Sequence, residues 1–248
     1  MLAIIGGSGI TGLQGLAISK HLRQETPWGD PSSHLATGKL GNTEVLFLPR
    51  HGEPHTIPPH KVNYRANIWA LKEQGASQVI AINAVGGITS AMQDGCIVIP
   101  HQVIDYTWGR EHTFFDETST EVTHIDFTRP YTEKLRQLLL RAGEGMEPPC
   151  IDGAVYGATQ GPRLETAAEI TRMERDGCDV VGMTGMPEAA LAREQELDYA
   201  SICLVVNRAA GKTDDNISMD EIVENLRLAS ARVNRLLENL VSLLQTGK

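Results

Sequence analysis

Six short apolar runs punctuate this chain, at residues 2–5, 45–48, 79–85, 97–100, 180–183 and 201–206. Each reads as a buried strand. Between them lie stretches with helical periodicity, at residues 64–73, 133–142, 166–175 and 188–196. The best-defined helix is the distal one. Ser218 and Glu221 fit a capping box, and Ile222, Leu226, Ala229, Val233, Leu237, Leu240 and Leu244 recur at spacings of three and four. Strands alternating with helices predict an α/β fold whose sheet is at least partly parallel. Residues 143–149 read as a loop, but the strands after it are too few for a second sheet. No repeat, linker or low-complexity segment divides the chain, so a single domain over residues 1–248 is expected.

The pattern breaks in LPRHGEPHTIPPHKVNYRANIWAL, which begins at Leu48. Pro54, Pro58 and Pro59 fix backbone torsions, and the last two remove consecutive amide donors, so residues 50–61 must be a shaped loop. Helical periodicity resumes at Tyr64, with Ile68 and Leu71 on one face. The loop holds Arg50, His51, His55, His60 and Lys61 in a protein of net charge −9. Such a local cluster of donors is suited to holding an anion, which points to phosphate chemistry; a solvated cluster of surface cations is the alternative. A metal site of His51, His55 and His60 is not expected, because the prolines prevent two histidines from sharing a helical face and no HExxH pattern occurs.

Other strand ends carry polar residues of the same kind. Gly6-Gly7-Ser8-Gly9 follows the first strand, where glycines let backbone amides approach an oxyanion and Ser8 adds a hydroxyl. A tight strand-to-loop turn accounts for them equally, and neither a Walker loop nor a dinucleotide fingerprint is present. Asn83-Ala84 ends another strand, at the position that usually faces the crevice of an open α/β sheet. Glu165 precedes the helix after GATQGPRL, Met183-Thr184 lies in a turn before another helix, and Asn207 ends the last apolar run. Each has a structural explanation, as a cap or a favourable charge at a helix start. Four strand ends bearing Ser8, Arg50, Asn83 or Asn207, with Thr184 beside them, are harder to dismiss together than singly.

Composition narrows the class. At 248 residues and 41% hydrophobic the chain can bury a full core. No 18-residue apolar run exists, so no membrane span is expected, and MLAIIGGSGI has neither the basic start nor the unbroken apolar stretch of a signal peptide. Cys96, Cys150, Cys178 and Cys203 form no Cys-x-x-Cys, which predicts neither a disulfide framework nor a zinc knuckle, and suggests the reducing cytoplasm. The acidic balance and lack of a basic run disfavour a nucleic-acid polymer as partner.

IIGGSG, RHGEPHTIPPHKVNYRANIWALKEQG, NAVGGI, GPRLETAAEI and MTGMPEAALARE occur in order over nearly the whole chain. Together they resemble the trimeric purine nucleoside phosphorylase family, most closely its methylthioadenosine phosphorylase branch. The resemblance implies a single α/β domain with a mixed central sheet distorting into a barrel, assembled as a homotrimer with sites at subunit boundaries; pairing of trimers into hexamers is left open. It implies reversible phosphorolysis of a nucleoside, with inorganic phosphate as co-substrate and no metal or organic cofactor. Carried over, Ser8, Arg50, His51, Asn83, Ala84 and Thr184 would hold phosphate, with Asn83 where the family often has threonine or serine. Met183 would meet the ribose, and Leu164 would replace the usual phenylalanine beside the base. His55 and Met219 would line the 5′ end, and His124 would enter from a neighbouring subunit. Arg50, Asn207 and Glu165 would be the catalytic groups.

The base end departs from the adenine-selective branch, which carries Asp-x-Asp where this chain has Asn207-Arg208-Ala209. A carboxylate at Glu165 can accept from the N1–H of a 6-oxopurine, and the Asn207 amide can donate to N7 or O6. Adenine presents a bare N1 lone pair that a carboxylate repels. Hypoxanthine is therefore the expected base. At the sugar end, His55 and Met219 match the methylthio branch, and a thioether suits an apolar, polarizable lining. The expected substrate is 5′-methylthioinosine. The alternatives are ordinary inosine or guanosine, methylthioadenosine, or a purine-binding module without catalysis.

Overall fold

The first apolar run becomes β1 (Leu2–Gly6), buried at every position. It lies between β4 (Thr43–Pro49) and β5 (Gln78–Gly87), parallel to both, and β5 pairs in parallel with β11 (Asp198–Arg208) along its other edge. These four strands take the apolar runs at residues 2–5, 45–48, 79–85 and 201–206, which are continuous because both sheet faces are covered. The computed structural model describes residues 1–10, 12–116, 123–213 and 217–246, the side chains of Met219 and Thr246 excepted.

On one face pack α1 (Tyr64–Glu73) and α4 (Gly185–Glu194), whose Ile68, Leu71, Ala189 and Leu191 join Ile5, Leu48 and Val79. On the other pack α2 (Glu133–Ala142) and α5 (Met219–Thr246), whose Leu135, Leu139, Val233, Leu237 and Leu240 join Ile4, Ile80 and Ile202. Each such aliphatic side chain contributes about 1.5–3 kcal/mol by leaving water. A charged residue at Ile4, which is fully buried, would abolish that gain with no partner to satisfy it. The smaller α3 (Ala167–Arg175) begins at a full capping box between Thr166 and Glu169, and its Ile170 and Met173 meet Val181 and Ala209.

The sheet divides at β5. One edge is covered by β1 only as far as Ala81, and β10 (Val180–Gly182) takes over, antiparallel, at Gly86. Between those points, among the described residues, this edge of β5 has no strand partner, and the sheet splays. One branch continues from β10 through β9 (Val155–Ala158) to β7 (Gln102–Asp105). The other runs from β11 through β6 (Ile97–Ile99) to β8 (Ile151–Asp152). The two branches are linked covalently where β6 bends into β7 and β8 into β9. Arg136 braces the bend, donating to the carbonyls of Ile99 and Pro100 and pairing with Asp152. Among the described residues strand pairing does not complete the ring, so the mixed sheet curls toward the barrel expected from the resemblance without closing.

Elements that apolar runs do not announce are β2 (Leu16–Leu22), β3 (Leu35–Leu40), β7, β8 and β9. β2 is an exposed edge carrying Lys20 and His21, the composition that protects an edge from pairing with other chains. β3 contains Gly38, where a Cβ would stand 2.3 Å from the Ala17 carbonyl oxygen, so close strand approach requires glycine. Helix α4 starts earlier than the expected 188–196, but Met186 (φ −125°, ψ 141°) interrupts it. An extended residue before Pro187 is what the proline ring enforces, and the regular helix begins there.

Candidate active site

A cleft of about 960 Å³ opens at the splay, beside the carboxyl ends of β1, β5 and β11, and α5 walls its far side. Ser8, Arg50, His51, His55, Ala84, Leu164, Glu165, Met183, Thr184 and Asn207 all border it. The residues singled out from sequence are thus largely one site.

At the end nearest β1, a Cβ on Gly7 would lie 2.4 Å from the Ile82 carbonyl oxygen and 3.1 Å from Arg50 Nη1. Glycine is needed for the turn to pass so close to β5 and to the guanidinium. Arg50 is fully buried. Its Nε and Nη2 grip Glu188 at 2.6 and 2.8 Å, and Nη1 donates to the Ile82 carbonyl at 3.0 Å. Glu188 also accepts from Tyr199 Oη at 2.8 Å. Burial opposes the Arg50 charge, but Glu188 more than restores it, and the guanidinium stays ionised. The fork of Arg50 is therefore occupied by Glu188, and the Nη1 edge is the one that faces the Gly7 turn.

His51 is not the cation its neighbourhood suggests. Burial and the adjacent Arg50 charge push its pKa down to about 4, against the opposing effect of the Ile57 carbonyl. Its Nδ1 is 2.8 Å from that carbonyl and must carry the proton, so Nε2 is left with a lone pair. The His55 ring lies tilted by 37° against that of His51, centroids 4.6 Å apart, and its Nε2 is 3.2 Å from Ser8 Oγ.

Asn83 is placed differently from its expected role as a direct anion donor. It is buried and stands outside the cleft lining, its Nδ2 donating to Ser201 Oγ at 2.6 Å and its Oδ1 accepting from Thr184 Oγ1 at 2.9 Å. Asn83 thus orients Thr184, which reaches the cleft in its place, while its neighbour Ala84 borders the cleft directly.

At the end of the cleft bordered by Glu165 and Asn207, Thr159 Oγ1 donates to Glu165 Oε1 at 2.6 Å, fixing the carboxylate just ahead of the capped α3. Asn207 follows a β-bulge in β11, where the register slips between Val205 and Asn207. Bulges re-aim side chains beside functional sites; here both Val206 and Asn207 border the cleft. One Asn207 amide hydrogen is spent on the Arg208 carbonyl at 2.7 Å, leaving the second. Leu164, 40% exposed, flanks Glu165.

The remaining end is lined by Ile217, Ile222, Val223 and Leu226, with Arg227 and Ser230 also on its α5 wall. The side chain of Met219, expected there, lies outside the described residues. His124 is exposed and does not border the cleft of its own chain. Sequence reasoning missed Glu188, Tyr199 and Thr159, which hold other residues rather than face the cleft. It also missed Val223, although α5 periodicity already marked Ile222 and Leu226. Among the described residues no group of three His, Cys, Asp or Glu is arranged to hold a metal ion, and no helix is long and apolar enough to cross a membrane.

Comparison with known proteins agrees with this architecture. The model of the phosphorylase superfamily matches residues 1–242. A probable S-methyl-5′-thioinosine phosphorylase of Pseudomonas syringae pv. tomato is 56% identical over 240 residues, covering 97% of this chain and 98% of that protein. A 6-oxopurine nucleoside phosphorylase of Pyrococcus furiosus is 43% identical over 244 residues, covering 95% of this chain and 90% of its own length. The structure of Schistosoma mansoni methylthioadenosine phosphorylase with adenine superimposes with a TM-score of 0.93 at 34% identity, covering 99% of this chain and 92% of that one.

Proposed function

The chain belongs to the phosphorylase superfamily, as an enzyme of its nucleoside-cleaving, pentosyl-transferring kind, and from that premise we propose that it cleaves S-methyl-5′-thioinosine with phosphate. The products are hypoxanthine and 5-methylthioribose 1-phosphate. The observation that carries this reading is the pairing of Glu165 and Asn207 at one end of the cleft with the apolar wall of Ile217, Val223 and Leu226 at the other. Relatives named for 6-oxopurine and methylthioinosine substrates support both halves.

In the proposed reaction the C1′–N9 bond stretches, its electron pair passes to the purine, and a phosphate oxygen attacks C1′ from the opposite face. The proton carried by the phosphate passes through water to the departing purine. Arg50 Nη1, the amides of the Gly7–Gly9 turn, Ser8 and Thr184 hold the phosphate. His51 offers its Nε2 lone pair to a protonated phosphate oxygen. Glu165 accepts from N1–H, and the second Asn207 amide hydrogen meets N7 as negative charge gathers there. Met183 and Leu164 flank ribose and base. The 5′-methylthio group lies against His55 and the α5 wall, with Met219 beginning that helix. Phosphate is a co-substrate, and no metal or cofactor takes part.

The same reading makes the protein a homotrimer in which His124 enters a neighbour's cleft. The exposure of Trp108 and Phe115 on the same segment supports a subunit contact there. The cytoplasm is the expected location, and four free cysteines fit a reducing compartment.

The test is hypoxanthine release from inosine and from methylthioinosine, each with and without phosphate. Phosphate-dependent release favouring methylthioinosine is expected. Equal specificity constants would make it an ordinary 6-oxopurine nucleoside phosphorylase, and release without phosphate would refute phosphorolysis.

A further inference from the structure

Arg110, on the segment between β7 and α2, is buried at 8% exposure and stands behind the cleft wall rather than in it. Its Nη2 donates to the carbonyls of Thr159 and Gln160 at 3.1 and 2.8 Å, and its Nε to Gln160 Oε1 at 3.1 Å. Its Nη1 donates to the carbonyls of Met183 and Met186 at 2.9 and 2.6 Å and to Tyr64 Oη at 3.2 Å. The guanidinium also lies 5.5 Å from the Tyr64 ring centroid. Among the described residues no carboxylate comes within ion-pairing distance of it.

A buried cation without an anion is costly unless dipoles replace the water it leaves. Here four backbone carbonyls do so, and they come from two separate places. Thr159 and Gln160 begin the loop that carries Glu165. Met183 and Met186 bracket the turn that carries Thr184. Only a flat fork with donors on both edges can reach both sets at once; a lysine ammonium cannot.

We infer that Arg110 is a positioning residue that locks the base-side loop to the ribose- and phosphate-side turn. It sets the distance and angle at which nucleoside and phosphate meet, without touching either. This rests on the proposed phosphorolysis. Each half of the site binds its own ligand largely unaided; what Arg110 supplies is their alignment. Misplacement by about 1 Å can cost ~10²-fold in rate with little loss of binding.

The test is Arg110→Lys in the full-length protein. The expected result is a fall in kcat of ~10–100-fold per folded enzyme, with the phosphate KM and the Kd for hypoxanthine within about threefold of wild type. Unchanged kcat per folded enzyme, with only a lower Tm, would reduce Arg110 to a structural role and overturn the proposal. So would a loss carried by phosphate KM or hypoxanthine Kd with kcat preserved. Gln160→Ala, which removes a single side-chain anchor, covers the case in which Arg110→Lys does not fold. It should lower kcat severalfold with the same spared binding, and an effect on binding alone counts against the proposal. Wild-type enzyme in the same assay separates the two readings: absence of phosphate-dependent hypoxanthine release there refutes the function, not the role of Arg110.

Discussion

Replacing Glu188 by glutamine leaves the packing around Arg50 nearly unchanged in volume and strips Arg50 of its counter-charge. Both groups are fully buried and joined by two short bonds, so the guanidinium would face an amide nitrogen that repels one of its donors. Breaking one side of a buried pair costs about 3–5 kcal/mol. For a chain of 248 residues this corresponds to a fall in Tm of about 6–20 °C. Phosphate should then stabilise the variant more than the wild type, because an anion beside Nη1 replaces the missing charge. A charge-assisted bond regaining about 1.5–3 kcal/mol would add about 3–12 °C to the phosphate-induced shift. Scanning calorimetry of both proteins, with phosphate or with chloride at matched ionic strength, measures it. A phosphate shift in the variant no larger than in wild type would mean that Arg50 does not meet the anion, and would refute the reasoning.

Thr159→Val should lower kcat/KM for inosine-type nucleosides about 10–100-fold, the loss of a bond of about 1.5–3 kcal/mol to a charged group; an unchanged value in the hypoxanthine-release assay would show that Glu165 needs no orienting hydroxyl. The native pKa of His51, about 4, lies below the ordinary 6.5, so its contribution is complete above pH 6.5 and is lost as pH falls from there to 4, about 3 kcal/mol in all. Urea unfolding across that window should show a shallower pH dependence in His51→Asn than in wild type, and identical slopes would contradict the buried neutral imidazole. Val223→Gln, at a position 61% exposed and bordering the cleft, should cost little stability yet shrink the preference for methylthioinosine over inosine about fourfold or more. A preserved preference in competition would move the methylthio group elsewhere.

Much of this was legible in the chain because buried parallel strands write themselves as unbroken apolar runs. The helices at residues 64–73 and 133–142 coincide with α1 and α2. Polar residues at strand ends marked the cleft, since the ends of β1, β4, β5 and β11 lie together once the strands are parallel. Part of what stayed hidden depends on contacts remote in sequence. Glu188 sits at a helix start where nothing local singles it out, yet it reaches Arg50 across 138 residues. The direct role expected of Asn83 could not be separated from an indirect one, because only the fold brings Ser201 and Thr184 to its two amide atoms. β2 and β3 escaped because an exposed edge strand and a glycine-bearing neighbour lack an apolar run. The slip at Val206 that aims Asn207 leaves no local signal either.

The two ends of the cleft call for different electrostatics, and on the proposed reading the charges divide the labour. Arg50 and Glu188 form a neutral pair, so an arriving phosphate meets directed donors rather than a bare cation. Two unit charges about 4 Å apart interact by about 4 kcal/mol at an effective dielectric of 20; Glu188, on the far side of the guanidinium, offsets part of that pull on phosphate. A nucleophile held less tightly keeps the freedom to move toward C1′. At the other end, bond breaking drives negative charge into the purine. The bond from N1–H to the Glu165 carboxylate weakens as that charge grows, because like charges then approach. The bond from the Asn207 amide to N7 strengthens over the same interval. Only interactions that tighten toward the transition state accelerate a reaction. Glu165 therefore chooses the base and Asn207 helps it leave. Thr159, by sharing the charge of Glu165 through its hydroxyl, limits the penalty that the choice imposes on the departure.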